Sequence, residues 1–232
     1  MGLKGLLPSI KTYYPGKIPW KQCSLAVVVL ATLALFLLAW ALPSFPGDRQ
    51  ALLDFQSLQT GWLDTAALAV SRFGWAPLSV GLVLVVAAAL LLLRRRADAM
   101  MMLLSLVPLA AGNALKRLVD RPRPDYLLLG PVPDSASFPS GHSTYAMLFC
   151  SLLIVLAEQS IKPRLIRRSI QAGLALLVLA VGASRVYLGA HWPSDVIGGY
   201  LFGGLASLGL IWLRNWWVNS HRQPGTPSTS LC

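Results

Sequence analysis

Six apolar stretches alternate with short polar ones along the chain, at 23–42, 73–93, 99–115, 142–157, 169–184 and 196–213. A helix needs about 20 residues to cross the hydrocarbon core of a bilayer. The first two stretches meet that length outright. The fourth and fifth are short, and are expected to extend through polar turns and to lie inside the bundle. Leu/Ala/Val-rich runs of this kind satisfy their backbone polar groups as helices rather than as a barrel. The predicted fold is therefore all-α: a six-helix transmembrane bundle over residues 23–213, with a basic segment at 1–22 and a polar tail at 214–232. Between the first two spans, "DRQALLDFQSLQTGWLDTAALAVSR" places Leu52, Phe55, Leu58, Trp62, Leu63, Ala66 and Val70 at helical spacing. That pattern predicts one or two short amphipathic helices on the outer surface, serving as a packed external loop or as a rim that gates a lipid-sized ligand. The end of the chain, "SHRQPGTPSTSLC", is polar, contains Pro and Gly, and is expected to be disordered, with no catalytic role for His221.

Composition agrees with a membrane protein. Of 232 residues, 55% are hydrophobic and only 12% charged, and the mean hydropathy is +0.60; a soluble domain carries about 25% charged residues. Cys23, Cys150 and Cys232 are too few and too scattered for a disulfide framework or a zinc site. The first apolar run is longer than a signal-peptide core and is read as a retained anchor.

The net charge is +11, so the excess has to be located before a nucleic-acid partner is invoked. Six spans alternate sides. One side holds both termini and the loops at 94–98 and 158–168. Its basic residues are Lys4, Lys11, Lys17, Lys21, Arg94, Arg95, Arg96, Lys162, Arg164, Arg167, Arg168, Arg214 and Arg222, against Asp98 and Glu158. The other side carries seven charges of each sign. The whole excess thus lies on one face, which the positive-inside rule makes cytoplasmic for both termini. Topology and anionic headgroups account for the basicity without DNA or RNA.

Three polar stretches on the opposite face break the apolar pattern: "KRLVDRPRP" from Lys116, "PSGH" from Pro139, and "SRVYLGAHWPSD" from Ser184. Arg117 and Arg121 are read as interfacial charges that snorkel to lipid headgroups. Lys116, Arg123 and Arg185 converge on one face and make a clamp for a dense negative charge, phosphate above all, since guanidinium forks match its oxygens. Ser140 can cap the fourth helix, and Gly141 lets a ligand approach free helix-end amides. His142 adds a proton donor to the same space. His191 and Asp195 stand four residues apart at the start of the last span, where a carboxylate can fix one imidazole tautomer and leave the other nitrogen free to attack.

These parts suit phosphoryl transfer: cations for the oxygens, an imidazole nucleophile, a carboxylate to orient it, and a second imidazole to protonate the departing oxygen. The residue types alone leave open which histidine attacks. Asp120, Asp125 and Asp134 follow no metal-loop spacing, so a mechanism with no metal and no cofactor is expected.

The three motifs together resemble those of the type 2 phosphatidic acid phosphatases, membrane lipid phosphatases that share an active-site design with vanadium haloperoxidases. The pattern of Lys, six residues, Arg-Pro is met by Lys116 and Arg123-Pro124. Pro-Ser-Gly-His is met by Pro139 to His142, and Ser-Arg, five residues, His, three residues, Asp by Ser184-Arg185, His191 and Asp195. The resemblance implies that His191 is the nucleophile forming a phosphohistidine, that Asp195 orients it, and that His142 is the general acid. Lys116, Arg123, Ser140, Gly141 and Arg185 would bind the phosphoryl oxygens.

What the resemblance implies for function is hydrolysis of a lipid phosphate or diphosphate at the extracytoplasmic face of a bacterial inner membrane. The partners are the lipid substrate and membrane lipids, with no obligatory protein partner. Undecaprenyl diphosphate leads the substrates, with phosphatidic acid and phosphatidylglycerol phosphate close behind and lipid A phosphate also of the right kind. A phosphotransferase of the same family shares the phosphohistidine step. A vanadate-binding haloperoxidase and a non-enzymatic lipid-binding or transport protein fit the six spans and intact histidines less well.

Overall fold

The computed structural model describes residues 20–130 and 134–221, with side chains from Leu25 onward. The basic leader up to residue 19 and the tail after His221 fall outside the described residues. Every described element is helical: α1 Trp20–Ala41, α2 Asp48–Gln56, α3 Gly61–Ser71, a 3₁₀ turn Arg72–Gly74, α4 Ala76–Leu92, α5 Arg96–Leu104, α6 Leu106–Val119, α7 Gly141–Ser160, α8 Arg164–Tyr187 and α9 Pro193–Ser220.

Local chemistry explains where these helices start and break. Pro108 has no N–H to give the Leu104 carbonyl, and the helical run from Arg96 to Val119 is interrupted at Ser105. Pro77 and Pro193 occupy first-turn positions, where a missing N–H costs nothing. Ser140 caps α7, its hydroxyl accepting from the Ser143 amide. The segment expected to hold one or two short helices holds two, α2 and α3.

Four helical stretches among the described residues are long and apolar enough to cross a membrane: Arg96–Val119, Gly141–Ser160, Arg164–Tyr187 and Pro193–Ser220. Gly61–Gly74 and Ala76–Leu92, bent by 55° at Trp75, make up to a fifth, and Leu25–Ala41 is a shorter apolar helix. All six apolar stretches of the sequence fall in helical segments, and length and composition alone support four to five spans among the described residues. The 17 residues of α4 are at the lower limit for crossing alone, and α1, at 22 residues, has the length of a span. The last helix also runs on to Ser220, past the expected end of the apolar core at residue 213.

The centre of the bundle is α7, which packs chiefly on α9 and α8. Glycines let α7 and α9 meet backbone to backbone. A Cβ at Gly199 would lie 2.7 Å from the Ser140 carbonyl oxygen, and one at Gly203 would lie 2.6 Å from that of Thr144. Beside this seam, Tyr145, Leu148, Phe149 and Leu152 of α7 join Val83 and Ala87 of α4 and Met101 and Met102 of α5 in the main apolar core. Away from it, Leu30, Leu37, Val85, Leu92, Leu176 and Trp212 are exposed, as a bilayer-facing surface requires.

Candidate active site

The three motif stretches, far apart in sequence, meet at one end of the bundle. Lys116 lies in the last turn of α6, Arg123 in the loop that follows, Ser140 to His142 at the start of α7, Arg185 in the last turn of α8, and His191 and Asp195 where α8 turns into α9. The α8–α9 turn needs Gly189, whose φ of +71° is left-handed and whose absent Cβ would sit 2.1 Å from the Leu127 carbonyl oxygen. The turn is closed by the Ala190 and His191 amides donating to the Arg185 carbonyl at 3.1 and 3.3 Å. The start of α7 is tied to that of α9 by the Ser140 amide, which donates to the Asp195 carbonyl at 3.0 Å.

A cavity of about 530 Å³ opens here. Lys116, Arg123, Gly141, His142, Arg185 and His191 form one end, and Trp75, Ala76, Val80, Leu106, Leu109 and Ala110 extend it along α4 and α6 as an apolar wall. Arg123 is fixed before any ligand arrives: Nε donates to the Ser135 carbonyl at 2.7 Å and Nη1 to that of Ala190 at 2.5 Å. Lys116 Nζ donates to the Ala136 carbonyl at 2.8 Å. Arg185 Nη1 donates to the Ser71 hydroxyl, while its Nε is buried without a hydrogen-bond partner among the described residues. A buried, unmatched guanidinium N–H costs free energy until an acceptor reaches it. In the first turn of α7 the Gly141 and His142 amides have no carbonyl within the helix to bond, so the cavity meets a helix N-terminus as well as three cations.

His191 is 2% exposed and has a readable tautomer. Its Nε2 lies 3.3 Å from Arg123 Nη1, and a guanidinium can only donate. Nε2 is therefore the lone-pair nitrogen and the proton is on Nδ1, which faces the Ser137 hydroxyl at 3.4 Å and Asp195 Oδ2 at 3.5 Å. Burial, and then the charges of Lys116, Arg123, Arg185 and His142, hold the His191 pKa well below the usual imidazole value of 6.5. Burial lowers Arg123 from its ordinary value, with Asp195 pulling the other way.

Asp195 is fully buried. Oδ2 accepts from the Trp192 amide at 2.9 Å and from the Ser137 hydroxyl; Oδ1 accepts from Arg121 Nη1 at 2.6 Å. Arg121 is thus not the headgroup-facing charge expected from the sequence: its side chain is 0% exposed and ion-paired to both Asp195 and Asp48. Arg117, read in the same way, is exposed. His142 stands over Gly74, where a Cβ would come within 2.4 Å of the imidazole. Arg121, Asp48, Ser137 and Gly74 are the neighbours that sequence reasoning missed; a second Arg-Pro beside the motif Arg-Pro was the one available sign. No group of three His, Cys, Asp or Glu side chains arranged to hold a metal ion occurs among the described residues.

A family model, that of the PAP2 superfamily, matches residues 96–219, more than half the chain and all three motifs. The chain belongs to the PAP2 superfamily. Among its relatives, lipid A 1-phosphatase of Rhizobium etli is 38% identical over 105 residues, 41% of each chain. Phosphatidylglycerophosphatase B of Bacillus subtilis is 37% identical over 94 residues, 39% of this chain and 45% of the relative. Undecaprenyl-diphosphatase of Sulfolobus acidocaldarius is 42% identical over 84 residues, 36% of each. Each match spans less than half of the relative's length. The PAP2 fold extends further than these matches. The crystal structure of a transmembrane PAP2 type phosphatidylglycerolphosphate phosphatase from Bacillus subtilis superposes with a TM-score of 0.70 at 23% identity, covering 84% of this chain and 97% of that one. That of Aquifex aeolicus LpxE gives 0.56 at 23%, covering 72% and 96%.

Proposed function

We propose that this PAP2 protein is a lipid phosphate phosphohydrolase acting through a phosphohistidine on His191. The observation that carries the reading is the single cavity in which Lys116, Arg123 and Arg185 face the unprotonated Nε2 of His191 and the His142 imidazole, with an apolar wall leading away between α4 and α6. The three cations and the free α7 amides of Gly141 and His142, behind the Ser140 cap, hold the phosphoryl oxygens. His191 Nε2 attacks phosphorus, the bond from phosphorus to the lipid oxygen breaks, and His142 supplies the proton that the leaving oxygen takes. Asp195, acting with Ser137, keeps the Nδ1 proton in place and offsets the charge that develops on the ring. Water then attacks the phosphohistidine, His142 receives its proton, and inorganic phosphate leaves. No step calls for a metal ion.

The lipid stays along the apolar wall while its phosphate enters the polar end. The excess of basic residues on the opposite loops supports placing that end on the extracytoplasmic face, with both termini in the cytoplasm and six spans in all. The relatives include enzymes named for lipid A, phosphatidylglycerophosphate and undecaprenyl diphosphate; each of these lipids carries a terminal phosphate at its polar end and long apolar chains at the other. The test is phosphate release by the purified protein from a panel of undecaprenyl diphosphate, phosphatidylglycerol phosphate, phosphatidic acid and lipid A, with EDTA present. Turnover of at least one in EDTA is expected. Turnover that vanishes in EDTA and returns with Mg²⁺ would overturn the metal-free mechanism, and no turnover on any member would overturn the phosphohydrolase reading.

A further inference from the structure

Behind the Asp195 carboxylate lies a closed set of buried charges that neither the motifs nor the reaction accounts for. Asp195 is 0% exposed, Arg121 2% and Asp48 4%. Arg121 uses its whole fork. Nη1 donates to Asp195 Oδ1 at 2.6 Å and to the Ser194 hydroxyl at 2.8 Å; Nη2 donates to Asp48 Oδ2 at 3.0 Å; Nε reaches the carbonyls of Leu42 and Pro43 at 3.3 and 3.2 Å. The guanidinium also lies over the Phe45 ring, 4.6 Å from its centroid. Asp48 is equally engaged. It accepts from Arg121, from the Ser194 amide at 3.0 Å, from the Ser194 hydroxyl at 2.6 Å and from the Phe45 amide at 2.8 Å.

Burying two carboxylates and a guanidinium gives little net stability, because desolvation offsets most of the attraction between them. What the arrangement does achieve is direction. Arg121 occupies Oδ1 of Asp195, so Oδ2 is the oxygen left for Ser137, the Trp192 amide and the side of His191 that carries the proton. An adjacent guanidinium also favours the ionised carboxylate, which keeps the proton on His191 Nδ1 and the lone pair on Nε2. Asp48 fixes the angle of that guanidinium and anchors it to α2, an element with no residue in the cavity.

We propose that Arg121 and Asp48 are positioning residues for His191: through Asp195 they select its Nδ1–H tautomer, and they make the docking of α2 a condition for an attacking Nε2. The inference rests on the reading of His191 as the nucleophile. Its test has a readout that does not depend on substrate. The chain has three histidines, and ¹⁵N spectra of histidine-labelled protein in nanodiscs report the tautomer of each, with His191→Gln assigning the signal. In the wild type His191 is expected as a single Nδ1–H tautomer. Arg121→Gln should give mixed tautomers and lower kcat by about 10- to 100-fold, the range seen for outer partners of an oriented histidine, with KM little changed. Arg121→Lys, which keeps the charge, should recover much of both.

A folded Arg121→Gln protein with the wild-type His191 signal overturns the proposal, whatever its activity. If Arg121→Gln does not fold, Asp48→Asn carries the test, since it removes one charge and almost no volume. An unchanged tautomer there, or failure of all three variants to fold, makes the network structural and overturns the proposal as well. A wild type that turns over no lipid phosphate while its His191 signal responds to Arg121 would sink the phosphohydrolase reading and leave this one standing.

Discussion

The guanidinium of Arg123 lies 3.3 Å from Nε2 of His191, with Nη1 shared between that nitrogen and the Ala190 carbonyl. In the proposed reaction, a cation placed against this nitrogen also meets the oxygen that gains charge as phosphorus is attacked. Arg123→Lys keeps the charge but loses the fork that holds Ser135, Ala136 and Ala190. It should lower kcat/KM for a lipid phosphate by about 10²- to 10³-fold, as removal of one oxyanion donor does. Steady-state kinetics decide; an unchanged kcat/KM would take Arg123 out of phosphate binding.

The two imidazoles are expected to separate by substrate. His191→Ala should form no phosphoenzyme with any phosphate ester. His142→Ala should lose about 10² to 10⁴ in rate on a lipid alkyl phosphate, and much less on an activated aryl phosphate whose leaving group needs no proton. Trapping the intermediate and mapping it by mass spectrometry checks the assignment, and phosphate found on residue 142 would reverse the roles.

Acid should weaken the fold through His191. Its folded pKa lies well below the 6.5 of an unfolded histidine. The stability tied to its neutral form is therefore complete above about pH 6.5 and is lost as pH falls from there toward the folded value. Within that window the unfolded chain binds one more proton, and the slope is about 1.4 kcal/mol per pH unit. Denaturation in phosphate-free detergent should show a shallower acid-side loss for His191→Gln than for the wild type; equal slopes would mean that His191 titrates normally.

Gly74→Ala places a methyl group 2.4 to 2.7 Å from the Cδ2, Cγ and Cβ atoms of His142, closer than atoms can pack. The His142 side chain has to move away from residue 74. Misplacing a reacting group by about an ångström can cost 10²-fold, so a loss of about that size is expected on lipid alkyl phosphates and a smaller one on an activated aryl phosphate. Equal losses on both substrates would show that the substitution disturbs more than the proton donor.

The charge count predicts that the cavity end faces away from the cytoplasm. Ser135→Cys, in a chain freed of Cys23, Cys150 and Cys232, should react with a membrane-impermeant thiol reagent on intact cells. Reaction only after the cytoplasm is opened would invert the topology.

What was legible in the sequence and what was not divide along a physical line. Lys116, Arg123, Ser140, His142, Arg185 and His191 are unusual in themselves, as polar groups at the ends of apolar helices; all but Ser140 line one cavity, and Ser140 is buried beside it as the α7 cap. The close succession of Trp192, Pro193 and Asp195 signals the start of α9. Arg121 has no such signature. A charge next to a helix end is ordinarily solvated, and its burial depends on Asp48, 73 positions earlier, being brought beside it by the fold. Gly74 likewise stands out only once His142 is known to lie over it. The bend at Trp75 was not legible either: a hydropathy run marks a segment as apolar but does not show where its helix breaks.

The glycine seam between α7 and α9 gives the active site a gauge made of main chain. With no Cβ at Gly199 or Gly203, the spacing of the two helices is set by carbonyl oxygens at Ser140 and Thr144, which are the same atoms whatever side chains surround them. Exchange of bilayer-facing residues such as Leu176 or Trp212 can refit the protein to a thicker membrane or a different acyl chain without altering that spacing. The outer surface is thereby free to drift while the separation of the two imidazole-bearing ends stays constant.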